Sequence, residues 1–119
     1  MILHILRRSE LEEARKTGSY VPPSLENEGF IHCSTERQVV ETANLCFRGQ
    51  RGLVIIVIDE RRLTAELKHE APASMGHERT DGLFPHLYGP LNLDAVAAVH
   101  EFPCDADGRF ELPDALRAK

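Results

Sequence analysis

Apolar residues crowd Ile2–Leu6 around a single polar position, His4, and predict a first strand. The stretch Gly29-Phe30-Ile31-His32-Cys33-Ser34-Thr35 is an apolar run that ends in polar groups and feeds straight into a helix. Side chains alternate along a strand, so Phe30, His32 and Ser34 share one face there and Ile31 and Cys33 the other. Leu53-Val54-Ile55-Ile56-Val57-Ile58 is aliphatic throughout and ends at Asp59. Such a run suits a strand covered on both faces, and its β-branched content argues against a helix. Helices are predicted where start signals precede a wider spacing. Ser9-Glu10-Leu11-Glu12 has capping-box spacing, and its helix runs to Thr17 and stops at Gly18. Thr35-Glu36-Arg37-Gln38 repeats the signal, followed by Val39, Val40, Ala43 and Phe47 as a core-facing stripe and by Gly49 as the stop.

The remaining segments are shorter. Tyr20-Val21-Pro22-Pro23 is extended, because each proline restricts its predecessor. Ser24 to Gly29 reads as a polar loop, Arg61 to Leu63 as a turn and Glu66 to Glu70 as an edge strand. Pro72 to Gly82 is polar and reads as a loop or lid. Phe84-Pro85-His86-Leu87-Tyr88-Gly89-Pro90 is held rigid by its prolines. Leu93 to Val96 predicts a helical turn and Ala97 to Phe102 a strand. Asp105-Ala106-Asp107-Gly108 predicts a hairpin turn, with Phe110-Glu111-Leu112 as the returning strand and Pro113 to Lys119 as a frayed tail.

Composition changes this picture little. The chain of 119 residues suits one domain, 1–119, with a single core, and 42% hydrophobic with 28% charged residues excludes disorder. A net charge of −5 argues against long nucleic acids, which bind through their phosphates, but leaves room for a single nucleotide. Three irregularly spaced cysteines, Cys33, Cys46 and Cys104, fit free thiols in a reducing cytoplasm. The opening apolar run lacks the features of a signal peptide, and the longest apolar run is far too short to cross a bilayer. The expectation is a soluble cytoplasmic protein with no membrane partner. Nothing in the pattern sets an oligomeric state.

Candidate chemistry gathers on two stretches. His32 and Ser34 project together where strand becomes helix, suited to holding a ribose, orienting a phosphate or moving a proton. On these two residues alone, a histidine satisfied by a main-chain carbonyl and a serine that caps the helix is the reading slightly ahead. His86-Leu87-Tyr88-Gly89 favours a site, since a second histidine sits beside a tyrosine in a proline-fixed segment. His4 and Glu70 complete the expected polar cleft. His32, Cys33, His69, His77 and His86 are metal-ligand types, but no CxxC, HxxxH or HExxH spacing occurs, so structural zinc is disfavoured and an open site on His32, His86 and Glu70 remains an alternative. No cysteine is placed as a nucleophile, and neither a Walker loop nor GxGxxG is present.

The strings Ile2-Leu3-His4-Ile5, Ser24-Leu25, Glu28-Gly29-Phe30-Ile31-His32-Cys33-Ser34, Gln38, Ala43, Asn44, Ile58-Asp59, Glu70 and Phe84 through Asn92 resemble domain of unknown function family 952 almost end to end. That resemblance implies an α+β fold of the ADP-ribosylation type, a split, mixed and mainly antiparallel sheet around an NAD-binding cleft. A more distant resemblance points the same way. NAD-dependent RNA 2′-phosphotransferases carry a His-x-His-x-Ser strand before a helix, then an aliphatic strand ending in Val-Asp, as Phe30-x-His32-x-Ser34 and Leu53 to Asp59 do here. Phe30 in place of a histidine, Glu28 in place of an arginine and the lack of clustered arginines argue against phosphotransfer to RNA. The implied ligand is NAD or another small ADP-ribose-type nucleotide, bound through His4, Ser34, Thr35, Tyr88 and Gly89. Catalysis of ADP-ribosyl transfer or glycosidic cleavage would fall to His32, Glu70 and His86. A non-catalytic binding module on the same fold is the competing expectation, and a metal-dependent hydrolase the third.

Overall fold

The computed structural model describes residues 1–71 and 82–117. Leu53–Ile58 forms β4, all six side chains of which are buried. It lies between β1 (Ile2–Arg7) and β8 (Val96–Glu101), antiparallel to both. Because alternate side chains leave opposite faces, β4 feeds two cores. Val54, Ile56 and Ile58 join Ile2, Leu6, Ile31, Cys33, Leu87 and Leu91 on one side. Leu53, Ile55 and Val57 join Leu3, Ile5, Val39, Ala43, Phe102 and Phe110 on the other. A strand with both faces covered was the expectation for this run, and the antiparallel pairing shows that burial on both faces does not require a parallel sheet.

A second three-stranded sheet has the order β3 (Ile31–His32), β6 (Phe84–Tyr88), β5 (Glu66–Glu70), again antiparallel. Ile31 and Leu87 turn into the first core, leaving the opposite face to His32 and His86, which are register partners. β5 is an edge strand, as expected. A two-stranded ladder joins β2 (Ser19–Tyr20) to β7 (Leu91–Asn92). The two larger sheets meet at one bridge, where Leu3 N–H donates to Ser34 O at 2.7 Å and Ser34 N–H to Leu3 O at 2.8 Å. Among the described residues the bridge is isolated and no ladder extends it.

Helix α1 (Arg8–Thr17) starts ahead of the expected Ser9 cap. The Arg7 amide donates to the Glu10 carboxylate at 2.9 Å, and the Arg8 amide to Gly52 O at 2.9 Å, which ties the helix start to the approach of β4. It ends at Gly18 in the left-handed conformation, φ 82°. Ser24 to Gly29 is not a loop: α2 (Pro23–Glu28) begins on a proline and ends on left-handed Gly29. Helix α3 (Val39–Cys46) follows a turn in which Gln38 Oε1 accepts from the Thr35 amide at 3.0 Å, the return half of the expected capping box. Short 3-10 turns occupy Glu60–Arg62 and Leu93–Ala95.

Two expectations near the end of the chain fail. The turn at Asp105 closes, with Gly108 N–H donating to Asp105 O at 2.9 Å, but Phe110 to Leu112 forms no strand. Asn44 instead accepts from the Phe110 amide at 2.8 Å and donates to its carbonyl at 3.3 Å, meeting with a side chain the need a ladder would meet. Phe110 stacks on Phe102, 4.7 Å between centroids. The stretch expected to fray forms a 3-10 turn at Asp114–Leu116, and Leu116 is buried in the second core. The expected lid at Pro72 to Gly82 lies outside the described residues, except for Gly82.

Candidate functional site

A cavity of about 520 Å³ is lined by β1, the residues of β3 and its extension, β6 and α3. β1 contributes His4 through Arg7, β3 and its extension His32, Cys33 and Ser34, and β6 Phe84 and His86. Helix α3 closes it with Thr42 and Cys46, and Tyr20 and Ser24 stand on the remaining side. The three histidines expected to converge do line one hollow, and each plays a different part.

His4 is fixed from both sides. Its Nδ1 lies 2.5 Å from His32 O and its Nε2 3.2 Å from the Tyr20 hydroxyl. A carbonyl only accepts, so Nδ1 carries the proton and donates; Nε2 is then the acceptor and Tyr20 O–H the donor. Burial holds the imidazole neutral by lowering its pKa from the ordinary 6.5 to about 4, against the partial counter-effect of the bond to His32 O. Burial likewise raises the Tyr20 hydroxyl. With both nitrogens engaged, His4 is a wall residue; the hydroxyl group it presents to the cavity is that of Tyr20. The main-chain satisfaction entertained for His32 therefore belongs to His4.

His32 stands at the mouth. Its side chain is 40% exposed, and Nε2 lies 3.1 Å from Glu28 Oε2 at the end of α2. Ser34 is buried and its hydroxyl donates to Thr42 Oγ1 at 3.4 Å, so two hydroxyls meet on the wall. Cys33 also faces the wall, with its thiol pushed up to about 12 by burial, which removes it as a nucleophile.

His86 is the most enclosed of the three, 4% exposed. Phe30 stacks on it at 4.1 Å and 22°, and the ring of His32 stands edge-on at 5.8 Å. Its Nδ1 donates to Glu70 Oε1 at 2.9 Å, and the Tyr88 hydroxyl donates to the same oxygen at 2.5 Å. The Tyr88 bond first, then that from His86, holds the Glu70 carboxyl below its ordinary range; the same carboxylate raises the Tyr88 hydroxyl.

The other expected site residues lie elsewhere. Glu70 and Tyr88 are behind His86 and do not line the cavity; Lys68 Nζ sits 4.9 Å over the Tyr88 ring. Thr35 is engaged through its amide with Gln38, outside the cavity wall. Gly89 is explained by packing, since a Cβ there would stand 2.7 Å from that of Ala65. Among the described residues no group of three or more His, Cys, Asp or Glu is placed to hold a metal ion, and His32, His86 and Glu70 do not form one. Nor is any helix of the described residues long and apolar enough to cross a membrane. Sequence reasoning missed Tyr20, Thr42 and Cys46. The last two were discoverable, because Thr42 and Cys46 are one turn apart beside the apolar stripe of α3.

A family model described as "Protein of unknown function (DUF952)" matches residues 5–99. The chain belongs to this family. It is similar to protein CC0527 from Caulobacter crescentus, whose X-ray structure is 36% identical, covers 97% of this chain and 96% of that one, and superposes with a TM-score of 0.82. The solution NMR structure of the same protein gives 36% identity, 96% and 94% coverage and a TM-score of 0.77. No curated protein matches the chain. Membership and architecture thus agree with the strings that carried the resemblance, notably those around His32 and His86.

Proposed function

We propose that the cavity binds a small ribose-bearing nucleotide of the NAD or ADP-ribose type, and that this member of the DUF952 family is a nucleotide-binding module. One observation carries the reading: imidazoles from β1, β3 and β6 meet the Ser34, Thr42 and Tyr20 hydroxyls on a single cavity of about 520 Å³. A largely apolar hollow of that size with a few convergent polar groups is the usual form of a small-ligand site. The groups are mainly hydroxyls and imidazoles, donors and acceptors suited to sugar hydroxyls, with the Arg7 guanidinium also on the wall. The ADP-ribosylation-type fold implied by the sequence resemblance is part of this reading, and the antiparallel sheets are what supports it.

Binding is favoured over cleavage of the glycosidic bond. Stabilising a glycosyl cation needs a carboxylate beside the reacting carbon. Among the described residues the one carboxylate on the wall is Glu10, which already accepts the Arg7 amide. Glu70 is occupied behind His86.

Isothermal titration with NAD and with ADP-ribose, alongside an assay for released nicotinamide, tests this. The expected result is saturable binding of at least one nucleotide, weakened about tenfold by His32→Ala through loss of one polar contact, and no nicotinamide release. Absence of heat with both nucleotides would refute the reading; stoichiometric nicotinamide release would establish the catalytic alternative.

A further inference from the structure

We infer that Glu70 is a positioning residue that locks the His86 imidazole in one tautomer, so that its bare Nε2 faces the cavity and accepts a hydrogen bond from a hydroxyl group of the ligand. The inference rests on the nucleotide-binding reading for the identity of the ligand, and on geometry alone for the imidazole.

The carboxylate can only accept, so the His86 nitrogen 2.9 Å from it, Nδ1, carries the proton. In the neutral ring the second nitrogen then holds a lone pair. His86 lines the cavity and Glu70 does not; with Nδ1 turned to Glu70, we place the edge that bears Nε2 toward the hollow. Among the described residues Nε2 has no hydrogen-bond partner, although the side chain is 4% exposed. A buried polar atom of this kind is rare unless something else satisfies it. The ring has little freedom to turn away: Phe30 stacks on one face at 4.1 Å, and the Tyr88 hydroxyl fixes the carboxylate at 2.5 Å.

The pairing contrasts with His4, whose two nitrogens are both consumed inside the protein. His86 is anchored on one side only. The arrangement selects ligands that donate, such as sugar hydroxyls, over those that present a lone pair at the same place, because two acceptors facing each other in a dry site repel.

Long-range nitrogen NMR of the full chain, at a pH well above the ordinary imidazole range, reads the tautomer directly. His86 is expected to show protonated Nδ1 and bare Nε2. Glu70→Gln, whose amide oxygen still accepts, is expected to keep that signature, and Glu70→Leu to lose it while the backbone spectrum stays folded. A proton on Nε2, or a tautomer mixture in the unaltered protein, overturns the positioning role. So does an unchanged signature in Glu70→Leu; if that variant fails to fold, the signature of the unaltered protein and of Glu70→Gln decides. Titration of ADP-ribose against its 2′-deoxy and 3′-deoxy analogues then tests the contact. One analogue is expected to bind about tenfold more weakly, with the difference abolished in His86→Phe. Equal affinities for all three overturn the hydroxyl contact. Failure of ADP-ribose itself to bind overturns both that contact and the nucleotide reading, while leaving the tautomer result standing.

Discussion

Histidines of the same type do three different jobs here, and their partners explain which. His4 is buried and doubly bonded, so it must be neutral to fit. Its folded pKa, about 4, lies below the ordinary 6.5, so the unfolded chain takes up the proton first as pH falls. The stability that neutral His4 contributes is complete above pH 6.5 and is lost as pH drops towards 4. The span corresponds to about 3 kcal/mol. Urea denaturation across that range is expected to show the midpoint falling with pH, and His4→Gln, which retains a donor for His32 O, to flatten the fall. Tyr20→Phe removes the donor to His4 Nε2 and is expected to cost about 1–3 kcal/mol in the same assay. Gly89→Ala is expected to destabilise by about 1–3 kcal/mol, because the new methyl collides with Ala65.

At the scale of elements, β4 decides the architecture. Six consecutive buried side chains supply both cores, so truncation is costly on either face: Ile55→Ala and Ile56→Ala are each expected to lose about 2–5 kcal/mol in chemical denaturation. Such a run is legible in a sequence because nothing else explains it. The alternation of Phe30 and His32 against Ile31 and Cys33 was legible for the same reason, as was the Gln38 return to Thr35. Elements held by one long-range contact were not legible. Phe110 is held by Asn44, 66 residues away, and no local pattern announces that bond. Helix α2 carried its signals, Pro23 at the start and Gly29 after the end, but offers one apolar residue, Leu25, to mark a periodicity. Composition therefore read as a loop.

Over the whole molecule, the cavity is a product of topology. β1 and the segment that follows β3 meet at the Leu3–Ser34 bridge, and the residues lining the cavity come from segments far apart in the chain. Sequence reading could nominate His4, His32, Ser34 and His86, because polar residues inside apolar strands are conspicuous. Distinguishing wall from behind-the-wall needs coordinates: Glu70, at the end of the edge strand, and Tyr88, in the proline-fixed segment, were nominated too, yet neither lines the cavity. The measurement that bears most directly on a common ligand site is titration of ADP-ribose followed residue by residue in two-dimensional proton–nitrogen NMR. Saturable shifts confined to His4, His32, Cys33, Ser34, Thr42 and His86 and their immediate neighbours are the predicted result. Shifts centred instead on a second hollow beside Leu93 and Val96 to Val99, or no shifts at saturating nucleotide, would contradict it.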